Sequence, residues 1–339
     1  RQRQMCIRDR YRILVCVTIL QALMNPIASL VLIRMNGGTA MMRILGIVGV
    51  QVCICVPIIV FQFCKGKEFF SKEYWGYALR IGIPIVPHYL SGIILNQGDR
   101  IMIDKMVGKT EVALYGLAYS IGMLVQLFIS GMNSALTPWM YSKIKKGDIR
   151  SMRKVLQLLS VVVVGIAVAL MLISPELVLI FGSPKYREAV YVIPPVAASV
   201  FFIFIYNILS MPQFYYEKTQ FLMAASMAAA GANVVLNFIF IRLFGYIAAG
   251  YTTLACYMLY SVGHYIVSKR ILVNEGIQEN LMSPGFLVAC SVFLIGASII
   301  CNLIFPYRIL RYAILLASAG LVFWKKELLL KTMADIRKK

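Results

Sequence analysis

Acidic side chains are scarce in this chain. Fourteen Asp and Glu stand against 34 Lys and Arg in 339 residues, and only two histidines occur. Charged residues of both signs make up 14%, against about 25% in soluble globular domains. So little charge cannot solvate the surface of a water-soluble domain of this length. The signatures of common soluble catalysis are missing too: the sequence has no GxxxxGK[ST] phosphate loop, no GxSxG, no HExxH and no GxGxxG. The chain therefore brings no ATP-hydrolysing loop of its own, and no cofactor is expected. Its eight cysteines sit mostly inside apolar runs (Cys16, Cys53, Cys55, Cys256, Cys290, Cys301). Their spacing fits neither a zinc site nor a disulfide framework, so they read as small apolar residues.

What the chain has instead is apolar length, 60% of its residues. The segment 221–241, FLMAASMAAAGANVVLNFIFI, holds 21 positions without a charge. About 20 apolar residues at ~1.5 Å rise let a helix cross a ~30 Å hydrocarbon core. Runs of this kind predict helices near 12–33, 44–64, 78–104, 112–137, 155–181, 189–211, 221–241, 247–268, 285–305 and 309–324. Lipid cannot satisfy bare backbone groups, and the runs are too long and too evenly apolar for barrel strands. The expected fold class is all-α: a polytopic transmembrane bundle of about ten spans. The last span is the weakest, being short and holding Arg311.

The net charge of +20 does not point to nucleic acid, because no soluble segment is long enough to fold around a basic face. Lys and Arg are about twofold more numerous on the side of the two termini, which places both ends in the cytoplasm of a multi-pass protein facing anionic lipid. Loops of roughly 16 residues or fewer leave no room for a soluble catalytic domain, so no enzyme is expected. The richest loop, SKIKKGDIRSMRKVLQLL from Ser142, suits an amphipathic helix lying on the membrane surface or a solvated linker. The opening RQRQMCIRDR is no signal peptide. It reads as non-native sequence, MCIRDR resembling a translated sequencing adapter, and a longer native N-terminus is expected.

One internal echo organises the rest. Asn25, Ile33, Arg34, Gly37 and Ala40 recur at a constant offset as Asn233, Ile241, Arg242, Gly245 and Ala248. The two sets lie an even number of spans apart, which is the pattern of parallel repeats about an axis along the membrane normal. This predicts a six-helix lobe over 77–270, preceded over 11–76 by the last two helices of an earlier lobe.

Polar residues within spans are the candidates for chemistry. From Ile81 runs IGIPIVPHYLSGIILNQGDRIMIDKMVG, the most polar span. Asn96, Arg100 and Asp104 follow i, i+4, i+8 spacing on one helical face, with Asp99 adjoining. One reading has Arg100 holding an anionic head group, balanced by Asp99 or Asp104. The other is a salt bridge at the outer end of the helix. Pro84 and Pro87 should bend or break this helix, and Pro194 and Pro195 mark a second bend. His88 is either a titrating gate or a hydrogen-bonded packing residue. Asn133, Asn207, Asn233 and Asn237 read as interhelical packing, the last two beside a ladder of Ala224, Ala228 and Ala232.

Three blocks together resemble a known family: KEYWGYALRIGIPIVPHYLSGIILNQGDRIMIDKMVGKTEVALYGLAYSIG from Lys72, FGSPKYREAVYVIPP from Phe181, and LNFIFIRLFGYIAAGYTTLACYMLY from Leu236. They are similar to bacterial polysaccharide-biosynthesis membrane proteins, the oligosaccharide flippases of the multidrug/oligosaccharidyl-lipid/polysaccharide exporter superfamily. The resemblance implies two six-helix lobes followed by two further helices and a basic tail, here 271–339. It implies a bacterial cytoplasmic-membrane protein that flips undecaprenyl-pyrophosphate-linked oligosaccharide by alternating access. Its partners would be the glycolipid, membrane lipid and other polysaccharide-assembly membrane proteins. Asn96, Gln97, Arg100, Gln126 and Asn133 are the residues available to line the cavity. The alternatives are a cation-coupled drug exporter of the same superfamily and a polytopic enzyme of glycan assembly.

Overall fold

The structure is a computed structural model that describes residues 2–35, 40–66 and 70–324. Every regular element among them is helical. The helices are α1 (Gln2–Met35), α2 (Ala40–Gly66), α3 (Lys72–Met106), α4 (Lys109–Gly122), α5 (Leu124–Lys146), α6 (Ile149–Phe181), α7 (Ile193–Tyr215), α8 (Thr219–Phe244), α9 (Ile247–Asn274), α10 (Pro284–Ile304) and α11 (Arg308–Trp324). A 3₁₀ helix, Pro184–Val192, leads into α7. Eight helical segments are long and apolar enough to cross a membrane. Outside those eight, α9 is long but carries many polar residues, and α11 is 17 residues long. The chain is thus an all-α polytopic bundle. Gly37 of the internal echo, the ring of Pro84 and the basic segment from 325 lie outside the described residues.

Two compact units are formed, Arg1–Ala78 and Leu79–Lys339. In the first, α1 packs on α2. Gly46 is the contact point: a Cβ there would lie 2.7 Å from the Cα of Ser29. Their outer faces carry exposed Leu, Ile, Val and Phe, as lipid contact requires. Helix α1 starts at Gln2, well before the expected residue 12, because the polar RQRQ and RDR groups do not oppose helical backbone geometry.

In the second unit α7 is the central rod. It is apolar around its whole circumference, so it is buried nearly throughout, with Phe201, Phe204, Ile205 and Ile208 in its core. Helices α5, α6, α9 and α10 pack around it.

Several sequence expectations need correction. The span expected over 112–137 lies within one segment, Lys109–Lys146, but its helix is interrupted at Met123, where Gly122 approaches α7 so closely that a Cβ would meet Val196 Cγ1 at 2.7 Å. The Met123 N–H still bonds the Tyr119 carbonyl at 2.9 Å, so the break is one residue wide. No surface helix forms from the basic segment after Ser142. Gly147 at φ 68° ends α5 in the left-handed conformation that favours glycine, and Asp148 caps α6 through the Ser151 N–H at 3.3 Å. The lysines and arginines are therefore shared between the ends of two long helices. Helix α3 continues through Pro84 and Pro87 without a break. Pro194 and Pro195 stand in the first turn of α7 rather than at a bend within it. Proline fits there because first-turn N–H groups have no helical partner. Finally, the Ala224, Ala228 and Ala232 ladder is not the buried face of α8; Leu222, Ser226, Ala229, Ala230, Asn233 and Asn237 are. A shift of one residue turns a helix by about 100°.

Candidate functional site

Helix α3 brings two chemically distinct sites together. On its inner face Asp99 is fully buried. Its Oδ2 accepts hydrogen bonds from Tyr115 Oη at 2.5 Å and Thr253 Oγ1 at 2.6 Å, and its Oδ1 accepts from Asn237 Nδ2 at 2.6 Å. Asn237 Nδ2 also reaches Asn233 Oδ1 at 3.1 Å, and Thr252 donates to Asn237 Oδ1. One carboxylate thereby ties α3 to α4, α8 and α9. Charge-assisted hydrogen bonds from neutral donors are what make a buried carboxylate tolerable.

On the adjoining face lies a cavity of about 650 Å³ lined by α3, α4, α7 and α9 and by Met123. Asn96, Gln97 and Arg100 line it. Arg100 Nη1 donates to Gln97 Oε1 at 2.6 Å, and its guanidinium sits 5.1 Å from the Tyr119 ring centroid. Its Nε is buried without a partner. Asn96 is held in place on three sides: its Nδ2 donates to Gly92 O at 2.8 Å, and its Oδ1 accepts from Tyr119 at 2.7 Å and Tyr257 at 3.2 Å.

The lining contains Arg100 and no acidic side chain. Asp99 does not balance Arg100, because both of its oxygens are engaged elsewhere. Asp104 is exposed and absent from the lining. The outer-end salt bridge expected for Arg100 is also not formed: among the described residues the ion pairs are Lys143–Asp148 and Arg311–Glu176. Gln126 and Asn133 do not reach this cavity, and the side-chain oxygen of each is buried without a partner.

His88 lines the far end, its Nδ1 3.1 Å from Tyr260 Oη. The second histidine, His264, pairs through Nδ1 with Gln213 Nε2 at 2.8 Å. Sequence reasoning missed Tyr119, Tyr206, Ser210, Phe214 and Tyr260 in the lining, and Tyr115 and Thr253 around Asp99. A signal for α9 was present: Tyr257, Tyr260 and His264 share one helical stripe, and the polar content of that stripe sets α9 apart from its neighbours.

The polysaccharide biosynthesis protein family matches residues 9–145, and the MatE family matches residues 84–239. The chain is 28% identical over 172 residues to the Lsg locus putative protein 1 of Haemophilus influenzae, covering 48% of this chain and 41% of that protein. It is 29% identical over 191 residues to an uncharacterized membrane protein of the same organism, covering 52% of this chain and 46% of that one. The chain thus spans less than half the length of these curated relatives. No solved structure matches it. Two overlapping family matches that run from residue 9 to residue 239, on an all-helical membrane bundle, make the chain similar to polysaccharide-biosynthesis and MatE membrane proteins.

Proposed function

We propose that the protein moves a lipid-linked oligosaccharide, carried on undecaprenyl pyrophosphate, across the bacterial cytoplasmic membrane for cell-surface polysaccharide assembly. The observation that carries this reading is the cavity that holds a guanidinium and no carboxylate. A charged group within a span is costly and belongs where a partner or a cavity meets it. An unopposed cation with a free buried Nε suits a phosphate-bearing substrate. A carrier of cationic drugs would instead place acid in the cavity, and here Asp99 is sequestered and Asp104 stands outside.

No covalent step is needed. The cavity binds the polar head while the lipid tail stays in the bilayer, and alternating access exposes the head to one side and then the other. In this reading 11–76 closes one lobe, 77–270 forms the second, and 271–339 adds two helices and a tail, with both termini in the cytoplasm. Other membrane proteins of polysaccharide assembly would supply and consume the glycolipid.

The test is glycan export by the full-length protein in a strain deleted for its gene. Arg100→Ala, at equal membrane abundance, should lower surface glycan at least tenfold. Undiminished export would remove Arg100 from substrate contact and with it the support for an anionic substrate.

A further inference from the structure

The cavity is cationic at one end and aromatic at the other. On α9 the rings of Tyr257, Tyr260 and His264 form a ladder, and Tyr206 of α7 lies across it. Its centroid is 6.3, 4.4 and 5.8 Å from theirs, at interplanar angles of 10°, 28° and 30°. One face of Tyr206 is therefore covered by α9. The residue itself is only half-buried and lines the cavity. Beneath it, Tyr260 is 3% exposed and fixed by its hydrogen bond to His88 at 3.1 Å, so the ring stack is held in place before any ligand arrives.

Polar groups beside this ring are unused. Asn207 follows Tyr206 in the chain and also lines the cavity. Neither its side-chain amide nor the Tyr206 hydroxyl has a partner among the described residues, and neither is sealed from the cavity. Packing between spans would have engaged that amide, as it engages Asn96 and Asn237. A flat aromatic face flanked by an unpaired amide and hydroxyl matches a sugar ring. Such a ring offers a patch of C–H groups to the negative face of an arene and hydroxyls around its edge. His88 and Arg100 are twelve residues apart on α3, about 18 Å along the axis, which leaves room for phosphate at one end and saccharide at the other.

We propose that Tyr206 is the stacking shelf for the saccharide of the substrate and that Asn207 reads its hydroxyls, while Arg100 holds the phosphate end. This rests on the lipid-linked glycan reading above. It makes Tyr206 and Asn207 the residues that set which glycan is accepted.

The test uses the purified full-length protein and two probes that differ only by a sugar: citronellyl pyrophosphate and citronellyl-pyrophosphoryl-N-acetylglucosamine. Titration calorimetry should show the wild type binding the glycosylated probe about tenfold more tightly. Tyr206→Leu should reduce that preference to less than about twofold while leaving the bare probe unaffected. Tyr206→Phe should keep most of it, and Arg100→Gln should weaken both probes alike. A preference that survives Tyr206→Leu overturns the shelf. Equal binding of the two probes by the wild type overturns the shelf and leaves the transport reading intact, whereas binding of neither overturns both. Thermal melting identifies any variant that fails to fold. Should Tyr206→Leu be one, Asn207→Ala decides the matter: the shelf requires a selective loss of the glycosylated probe, and an unchanged preference overturns it.

Discussion

Asn237 on α8 donates its side-chain amide to Asp99 on α3 at 2.6 Å, across 138 residues of sequence. With Tyr115 and Thr253 on the other oxygen, this bond makes Asp99 the clamp of the second unit rather than a counterion for Arg100. Asp99→Leu would strand three buried donors, each costing about 1–3 kcal/mol. Asp99→Asn would place an NH₂ group against at least one donor and should cost less. Thermal melting of the detergent-purified protein should therefore rank the wild type above Asp99→Asn and Asp99→Leu lowest. Equal melting of all three would show that the clamp carries no stability.

The helices and the polar face of α3 were legible in the sequence because both follow from short-range rules. Apolar length fixes a span, and i, i+4 spacing puts Asn96 and Arg100 on one face. What could not be read is which neighbour meets that face. Asp99 and Arg100 are adjacent in sequence, yet about 100° of helical rotation sends one to α8 and α9 and the other to the cavity. The aromatic wall was hidden for the same reason: Tyr206 and Tyr260 become a stacked pair only once α7 lies against α9. The division at Met123 likewise depends on the approach of Gly122 to Val196, a tertiary contact that leaves no local trace.

Arg311 made the last helix look doubtful as a span, and its surroundings account for it. Both Nη atoms reach Glu176 at 2.8 Å, Nη1 also donates to Leu172 O at 2.6 Å, and Tyr312 donates to the same carboxylate at 3.0 Å. The bidentate pair docks α11 on α6. A double-mutant cycle with Arg311→Leu and Glu176→Leu should show coupling of about 1–3 kcal/mol in melting experiments. Each single change should be worse than its share of the pair, because it leaves an uncompensated charge. Simple additivity would reduce the contact to a surface pair.

Gln126 and Asn133 are candidates for the cavity by sequence, and neither lines the pocket that holds Arg100. Each has a buried side-chain oxygen with no partner, a standing penalty that an apolar side chain of similar size would lift. Gln126→Leu and Asn133→Leu should leave glycan export unchanged and raise stability by about 1 kcal/mol each. Export assayed beside Arg100→Ala provides the contrast. A loss comparable to that of Arg100→Ala would return these residues to the transport path.

The first unit offers a sharper steric test, because two of its glycines lie three residues apart in the same helix. At Gly46 an added methyl would stand 2.7 Å from Ser29 Cα and 2.8 Å from its backbone nitrogen, while at Gly49 it would meet nothing within 4 Å. Backbone cannot yield as a flexible side chain can, so Gly46→Ala must push α1 away from α2. The expected cost is about 1–3 kcal/mol. Gly49→Ala lacks that clash and gains helix propensity, so it should be neutral or stabilising by up to about 1 kcal/mol. The two variants have the same composition and equal hydrophobicity, which makes the comparison one of packing alone. Thermal melting of the two purified variants makes the comparison. Equal melting of Gly46→Ala and Gly49→Ala would mean that the helices do not cross at Gly46.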